Sequence, residues 1–149
     1  MIDEKFMKLA IRVAKSGFGK SYLSVGAVIV KNKKVISSAY NTVIKDKDPT
    51  AHAEINAIRL ACKKLRSRKL SNCTLYSTLE PCPMCFVASH WAGIKKIVYG
   101  ATIKDAIKKG SEELPISVQK LKGLGRSSIK IVGGILRKDC LKVLKKLGS

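Results

Sequence analysis

Residues 25–30 read Val-Gly-Ala-Val-Ile-Val, apolar without a break. A strand of that kind has no face it can show to water, so it demands a sheet covered on both sides. The charged turn 31–34 leads into a second strand over 35–40, and the pair reads as a hairpin. Further strands are predicted over 73–78, 95–101 and 128–132. Helices fall between them. One spans 3–16, with Phe6, Leu9, Ala10 and Val13 at helical spacing and Gly17 and Gly19 to end it. After a turn-rich loop at 46–49, Ile55, Ile58 and Ala61 mark an amphipathic helix over about 52–64. A short helix follows Pro81 and Pro83 to about residue 92, helical turns over 104–122 break near Pro115, and a last helix covers 137–147. The order αββαβαβ(α)βα predicts a three-layer α/β/α sandwich around a mixed five-stranded sheet. The hairpin supplies its antiparallel part and the later β-α-β crossovers its parallel part.

The 149 residues suit a single domain, 1–149, with one core, and 46% apolar content is enough to build it. No apolar run approaches the roughly 18–20 residues of a membrane span. The start, Met1-Ile2-Asp3-Glu4-Lys5, lacks the pattern of a signal peptide. A soluble, cytoplasmic protein without a membrane partner is therefore expected. Thirty basic residues against ten acidic ones give a net charge of +20, which attracts nucleic acid by bulk electrostatics. However, 24 of the 30 are Lys and only 6 are Arg, the better fork for phosphates and base edges. The excess is also even: +11 over residues 1–75 and +9 over 76–149. Such a distribution describes a lysine-rich surface more than one binding face. Of the five cysteines, Cys62, Cys73 and Cys140 sit among apolar residues and read as small buried hydrophobes. An odd count in an intracellular chain argues against a disulfide framework.

Two segments carry chemistry. The first is Pro49-Thr50-Ala51-His52-Ala53-Glu54, and the second is Glu80-Pro81-Cys82-Pro83-Met84-Cys85. Together they fit the H-x-E…P-C-x-x-C signature of zinc nucleobase deaminases. A catalytic zinc takes three protein ligands and keeps one position open. His52, Cys82 and Cys85 supply one imidazole and two thiolates for one Zn²⁺ per chain with a bound water or hydroxide. Cys82 and Cys85, three apart at a helix start, face one way, and Pro83 suits the first helical position. Glu54 is left free to act as general base and proton carrier. Residues two apart on a regular helix point about 200° apart. His52 and Glu54 can share a site only if one of them lies at the helix start with non-helical backbone. A structural zinc site would need a fourth ligand, and only His52 and His90 are available as histidines. A thiol redox pair is the other reading of Cys82 and Cys85.

These residues resemble the cytidine deaminase-like superfamily. The resemblance is strongest to the branch holding guanine deaminases, yeast-type cytosine deaminases and tRNA wobble-adenosine deaminases. It runs from Val25-Gly26-Ala27-Val28 to the last helix and implies that fold, zinc and a homodimer. Asp48-Pro49-Thr50-Ala51-His52-Ala53-Glu54 is similar to both the guanine and the tRNA enzymes. In them the Asn eleven residues before the zinc His touches the base, which implies a substrate role for Asn41, with Ala53 beside it. Ser89-His90-Trp91-Ala92 resembles the guanine deaminase stretch whose Trp lines the base pocket, implying the same of Trp91. The run Val98-Tyr99-Gly100-Ala101…Asp105-Ala106…Gly110…Glu112-Glu113 follows the guanine deaminase pattern, where an acid at the Glu113 position contacts substrate. Two features depart from it. Val25 stands where guanine deaminases have Phe and the tRNA enzymes have Val. Thr102-Ile103-Lys104-Asp105-Ala106 replaces the Asp-Ala-Lys-Thr-Gly run of the tRNA enzymes. Gly133-Gly134-Ile135-Leu136…Asp139-Cys140, in turn, resembles the tRNA enzymes, and the last helix offers Lys142, Lys145 and Lys146 to phosphates. The expected activity is hydrolytic removal of the exocyclic amine of a free nucleobase or nucleoside, releasing ammonia. Guanine is favoured as substrate, then cytosine. The alternatives are a tRNA wobble-adenosine deaminase, with tRNA as partner, and a nucleic-acid binding module with an inert zinc site.

Overall fold

A computed structural model describes residues 1–146. The chain opens with α1 (Ile2–Ser16), followed by the hairpin β1 (Gly26–Lys31) and β2 (Lys34–Tyr40). A single helical turn, α2 (Val43–Asp46), precedes α3 (Ala53–Leu65). Then come β3 (Cys73–Leu79), α4 (Pro83–Trp91) and β4 (Lys96–Ala101). The last third holds α5 (Ile103–Lys108), α6 (Val118–Gly125), β5 (Lys130–Val132) and α7 (Arg137–Val143). The five strands form one sheet in the order β2-β1-β3-β4-β5. β1 is antiparallel to both neighbours, while β3, β4 and β5 pair in parallel. β1 is therefore the one strand of reversed direction. The C-terminal ends of the other four, including β3 and β4, share one rim.

Helices cover both faces, as the apolar run in β1 requires. α1 lies across β1 and β3 and touches α7, which rests on β4. α3 covers β2 and β1, with α4 beside it and α6 against α4. Ala27, Val28 and Ile29 are fully buried between the layers. Two glycines set how closely the helices approach. A Cβ on Gly26 would strike the Ala10 carbonyl and the Ala14 amide of α1, and one on Gly100 would strike the Cys140 side chain of α7. The start of α1 is tied to the sheet through Asp3. Its carboxylate accepts from Tyr76 Oη at 2.8 Å and pairs with Lys96 Nζ at 2.9 Å. Burial opposes ionisation of Asp3, but the Lys96 and Tyr76 hydrogen bonds outweigh it and hold its pKa below the ordinary value.

The structure shortens two expected elements. β5 begins at Lys130 instead of residue 128, because Ser127 Oγ takes part in a turn just before it, accepting from Ile129 N at 3.4 Å. α7 ends at Val143, so Lys145 and Lys146 are not on a helix. Leu144 is extended, Lys145 O accepts from Ser24 N at 2.8 Å, and Lys146 bridges antiparallel to Leu23. Lys145 and Lys146 place their ammonium groups over the Phe18 and Tyr22 rings. Residue 147, the expected end of that helix, lies outside the described residues. Cys73 and Cys140 are buried and Cys62 is half-buried, as their apolar surroundings imply. No described helix is long and apolar enough to cross a membrane.

Candidate metal centre and active site

The conformation of the α3 start resolves the His52–Glu54 difficulty. Asp48 Oδ1 accepts from both the Thr50 amide and the Thr50 hydroxyl, at 2.8 and 2.7 Å, which fixes a tight turn. Asn56 Nδ2 then gathers Tyr40 O, Thr42 Oγ1 and Ala51 O at 3.0, 2.8 and 3.3 Å, holding the loop to the start of α3. His52 follows as N-cap with extended backbone, φ −68° and ψ 156°, while Ala53 and Glu54 are already helical. The break in helical phase turns the imidazole and the carboxylate to the same place. Cys82 is the N-cap of α4 with φ −67° and ψ 170°, Pro83 occupies the first helical position, and Cys85 follows one turn on.

The donor atoms of His52, Cys82 and Cys85 lie within 4.8 Å of one another. His52 Nδ1 stands 3.6 Å from Cys82 Sγ and 3.7 Å from Cys85 Sγ. A tetrahedral zinc with bonds of about 2.3 Å to sulfur and 2.0–2.1 Å to nitrogen has an N···S edge of about 3.6 Å. The three donors therefore fit zinc in type, number and spacing, with a fourth position open. The alternative of a structural four-ligand site finds no support, since no fourth His, Cys, Asp or Glu joins the cluster among the described residues.

Burial and hydrogen bonds organise the electrostatics of the pocket. Hydrogen bonding from Cys85, then from His52, stabilises the Cys82 thiolate and brings its pKa down to about 4. Burial drives the Cys85 thiol well above its ordinary range, with the Cys82 hydrogen bond and the charge of Glu54 adding to the rise. Burial alone would lower His52; the hydrogen bond to Cys82 and the charges of Glu54 and Cys82 overcome it and raise His52 to about 9. Glu54 is only 4% exposed. Burial pushes its carboxyl up to about 7, against the pull of His52, and Ser77 Oγ is its donor at 3.3 Å. A carboxyl near 7 can both accept and donate a proton at neutral pH.

His52, Glu54 and Cys82 form one wall of a cleft of about 250 Å³. Asn41, Ala53 and Glu113 line it. Asn41 Oδ1 accepts from Val43 N at 2.9 Å, so this residue also serves as the strand-end turn that its type suggests. Glu113 is half-buried, and its carboxylate accepts no hydrogen bond among the described residues. Burial raises its pKa, and the charge of Cys82 adds to the rise. Val25, the residue that differs between the two enzyme types, lines the cleft as well.

Trp91 lies apart from the other residues expected to contact substrate. It is 70% exposed and does not line the cleft of its own chain. The reason is its place on α4: Cys82 begins that helix and Trp91 ends it. Nine residues at 1.5 Å each carry Trp91 about 13 Å from the metal end. Asp105, another residue in the resemblance, does structural work. It closes a capping box with Thr102 and accepts two hydrogen bonds from Arg137, at 3.0 and 2.6 Å. Glu80 was missed as a side chain in the sequence reading. It is buried in the cleft wall and binds two backbone amides. An acid closing the apolar strand end Thr78-Leu79 was the signal available.

Comparison with known proteins places this geometry. Residues 1–101 match the family model for the cytidine and deoxycytidylate deaminase zinc-binding region. A tRNA-specific adenosine deaminase of Buchnera aphidicola subsp. Schizaphis graminum is 37% identical over 142 residues, covering 95% of this chain and 91% of that protein. The guanine deaminase of Bacillus subtilis is 43% identical over 117 residues, covering 76% and 73%. Among solved structures, a guanine deaminase from Nitrosomonas europaea superposes with a TM-score of 0.84 at 27% identity, over 94% of this chain and 81% of that one. A zinc-type donor triad, a buried carboxyl poised near neutrality and a match over two thirds of the sequence lead to one assignment: the chain belongs to the cytidine and deoxycytidylate deaminase family of zinc-dependent hydrolases acting on C–N bonds.

Proposed function

We propose that this protein hydrolyses the exocyclic amine of a free nucleobase or nucleoside, guanine before cytosine. The observation that carries this reading is Glu113, a half-buried carboxylate in the cleft with no donor among the described residues. A carboxylate only accepts hydrogen bonds. It suits a ring edge that presents N–H groups, such as N1–H and the amine of guanine, and suits the bare N1 of adenine poorly. The cleft volume, just under the roughly 300–1,000 Å³ usual for small-molecule sites, accords with one base.

His52, Cys82 and Cys85 would hold the zinc. When bound, zinc supplies a hydroxide-like nucleophile at neutral pH. Glu54 takes one proton from the attacking water to the ring nitrogen, and then passes the remaining hydroxyl proton to the departing amine. Water's oxygen forms the new bond to the ring carbon, the C–NH₂ bond breaks, and ammonia leaves. Asn41, Ala53 and Glu113 orient the ring. A second copy of the chain is the protein partner we infer. Trp91 and Leu124, 70% and 77% exposed, leave large apolar surface on α4 and α6 for it to cover.

The alternative is deamination of the tRNA wobble adenosine. Val25 in the cleft wall favours it, as does the +20 charge, and the tRNA enzyme among the relatives supports it equally. Zinc-loaded protein should be offered guanine, cytosine, adenine, their nucleosides and an anticodon stem-loop, with ammonia as the readout. Release from guanine supports the proposal; turnover of the stem-loop alone replaces it with the alternative. Glu54→Gln should lower turnover by about 10²–10⁴-fold and leave zinc content unchanged. Retained turnover would remove Glu54 from the chemistry.

A further inference from the structure

Glu80 is 4% exposed and has no cationic partner among the described residues. Its two oxygens divide their work. Oε1 accepts from Ile103 N at 3.2 Å, and Oε2 from Val118 N at 2.9 Å. Ile103 and Val118 are the first residues of α5 and α6, whose amides have no acceptor within their own helices. One carboxylate thus grips both ends of the segment from 103 to 118. That segment lines the cleft with Ser111, Glu112 and Glu113. Glu80 itself is fixed at the end of β3, where its amide donates to Ala101 O at 2.8 Å, and Cys82 follows two residues later. From 112 to 117 the bonds of the segment are local: Glu113 N to Ser111 Oγ, and Ile116 N to Leu114 O.

We propose that Glu80 is a positioning residue that locks the Glu113 segment in register with the metal strand, so that substrate is held at a fixed offset from the zinc ligands. The role rests on the reading that Glu113 contacts substrate. A carboxylate is needed because it accepts at both oxygens; a glutamine would turn an N–H₂ toward one of the two amides. Losing the Val118 anchor loosens the stretch from 110 to 117, while Asp105 keeps its bonds to Arg137 and Lys109 its bonds to Leu141 O and Leu144 O; the loosened stretch carries Glu113, so binding of substrate is spoiled without touching the metal.

Hydrogen exchange on the zinc-loaded wild-type protein reads the clamp directly. The Ile103 and Val118 amides should exchange at least about tenfold more slowly than the Glu112 amide. Equal rates would overturn the clamp. Kinetics then tests positioning, on whichever substrate the panel identifies. Glu80→Gln should raise KM about tenfold, with kcat changed less than about threefold and zinc content intact. In a Glu113→Gln background the same change should have no further effect, because both act through one contact. Additive losses would mean that Glu80 acts by another route and would end the proposal. A Glu113→Gln variant with unchanged KM, beside slow Ile103 and Val118 amides, would discard the substrate contact and the positioning role while leaving the clamp. If Glu80→Gln does not fold, Glu80→Asp, whose shorter side chain reaches only one amide, takes its place in the cycle.

Discussion

His52 is raised to about 9, Cys85 lies well above its ordinary range, and Cys82 is already ionised with a pKa of about 4. Zinc binding must therefore displace two protons, one from the imidazolium and one from the Cys85 thiol. At pH 8, above the value of about 7 for Glu54 and below that of His52, binding should release two protons per zinc. The sign follows: affinity falls as pH drops, by about 100-fold per unit while both groups are protonated. Calorimetry in buffers of different ionisation enthalpy gives the count, and a release near zero would contradict the thiol and imidazolium assignment. All three ligands were legible in the sequence because each sits within a few residues of a helix start, where local spacing fixes direction. The placement of Trp91 was not, because which end of α4 meets the cleft of its own chain depends on how that helix is docked. The side chain of Glu80 escaped notice for a similar reason: its partners, Ile103 and Val118, lie 23 and 38 residues away.

At the level of elements, the strands and helices followed from hydrophobic period and turn residues, and most boundaries agree within two residues. The exceptions mark competition from outside the element. α7 stops early because residues 144–146 extend along Ser24 and Leu23. Two substitutions separate close packing from local strain. Gly26→Ala drives a methyl into the backbone of α1 and should cost about 3 kcal/mol in urea unfolding. Lys33, by contrast, holds φ 61° in the hairpin turn beside Asn32 at φ 49°. Glycine is at ease in that region, so Lys33→Gly should stabilise by about 0.5–1 kcal/mol. A loss at Lys33 would show that its side chain makes a contact worth more than the strain.

For the molecule as a whole, charge is the distinguishing property. Thirty cations face ten acids, and only four ion pairs form among the described residues. Self-repulsion should therefore weaken the folded state at low ionic strength. Adding salt from about 10 to 200 mM should raise Tm by about 2–4 °C through screening. A falling Tm would mean that favourable pairs outweigh the repulsion. Sequence composition alone predicted this surface, since charge needs no fold to be counted. The substrate could not be read the same way, because it depends on which side chains face one cleft of about 250 Å³.

The reversed direction of β1 has a practical consequence. Lys31, at its end, pairs with Cys73 at the beginning of β3, so the Asn32–Lys33 tip lies at the rim opposite Glu80 and Cys82. The donor triad, the cleft and Glu80 all crowd one rim, and the hairpin tip belongs to the other. A fluorophore, an affinity peptide or a surface tether grafted at that tip would leave the chemistry facing away from its attachment, ready for immobilised assays.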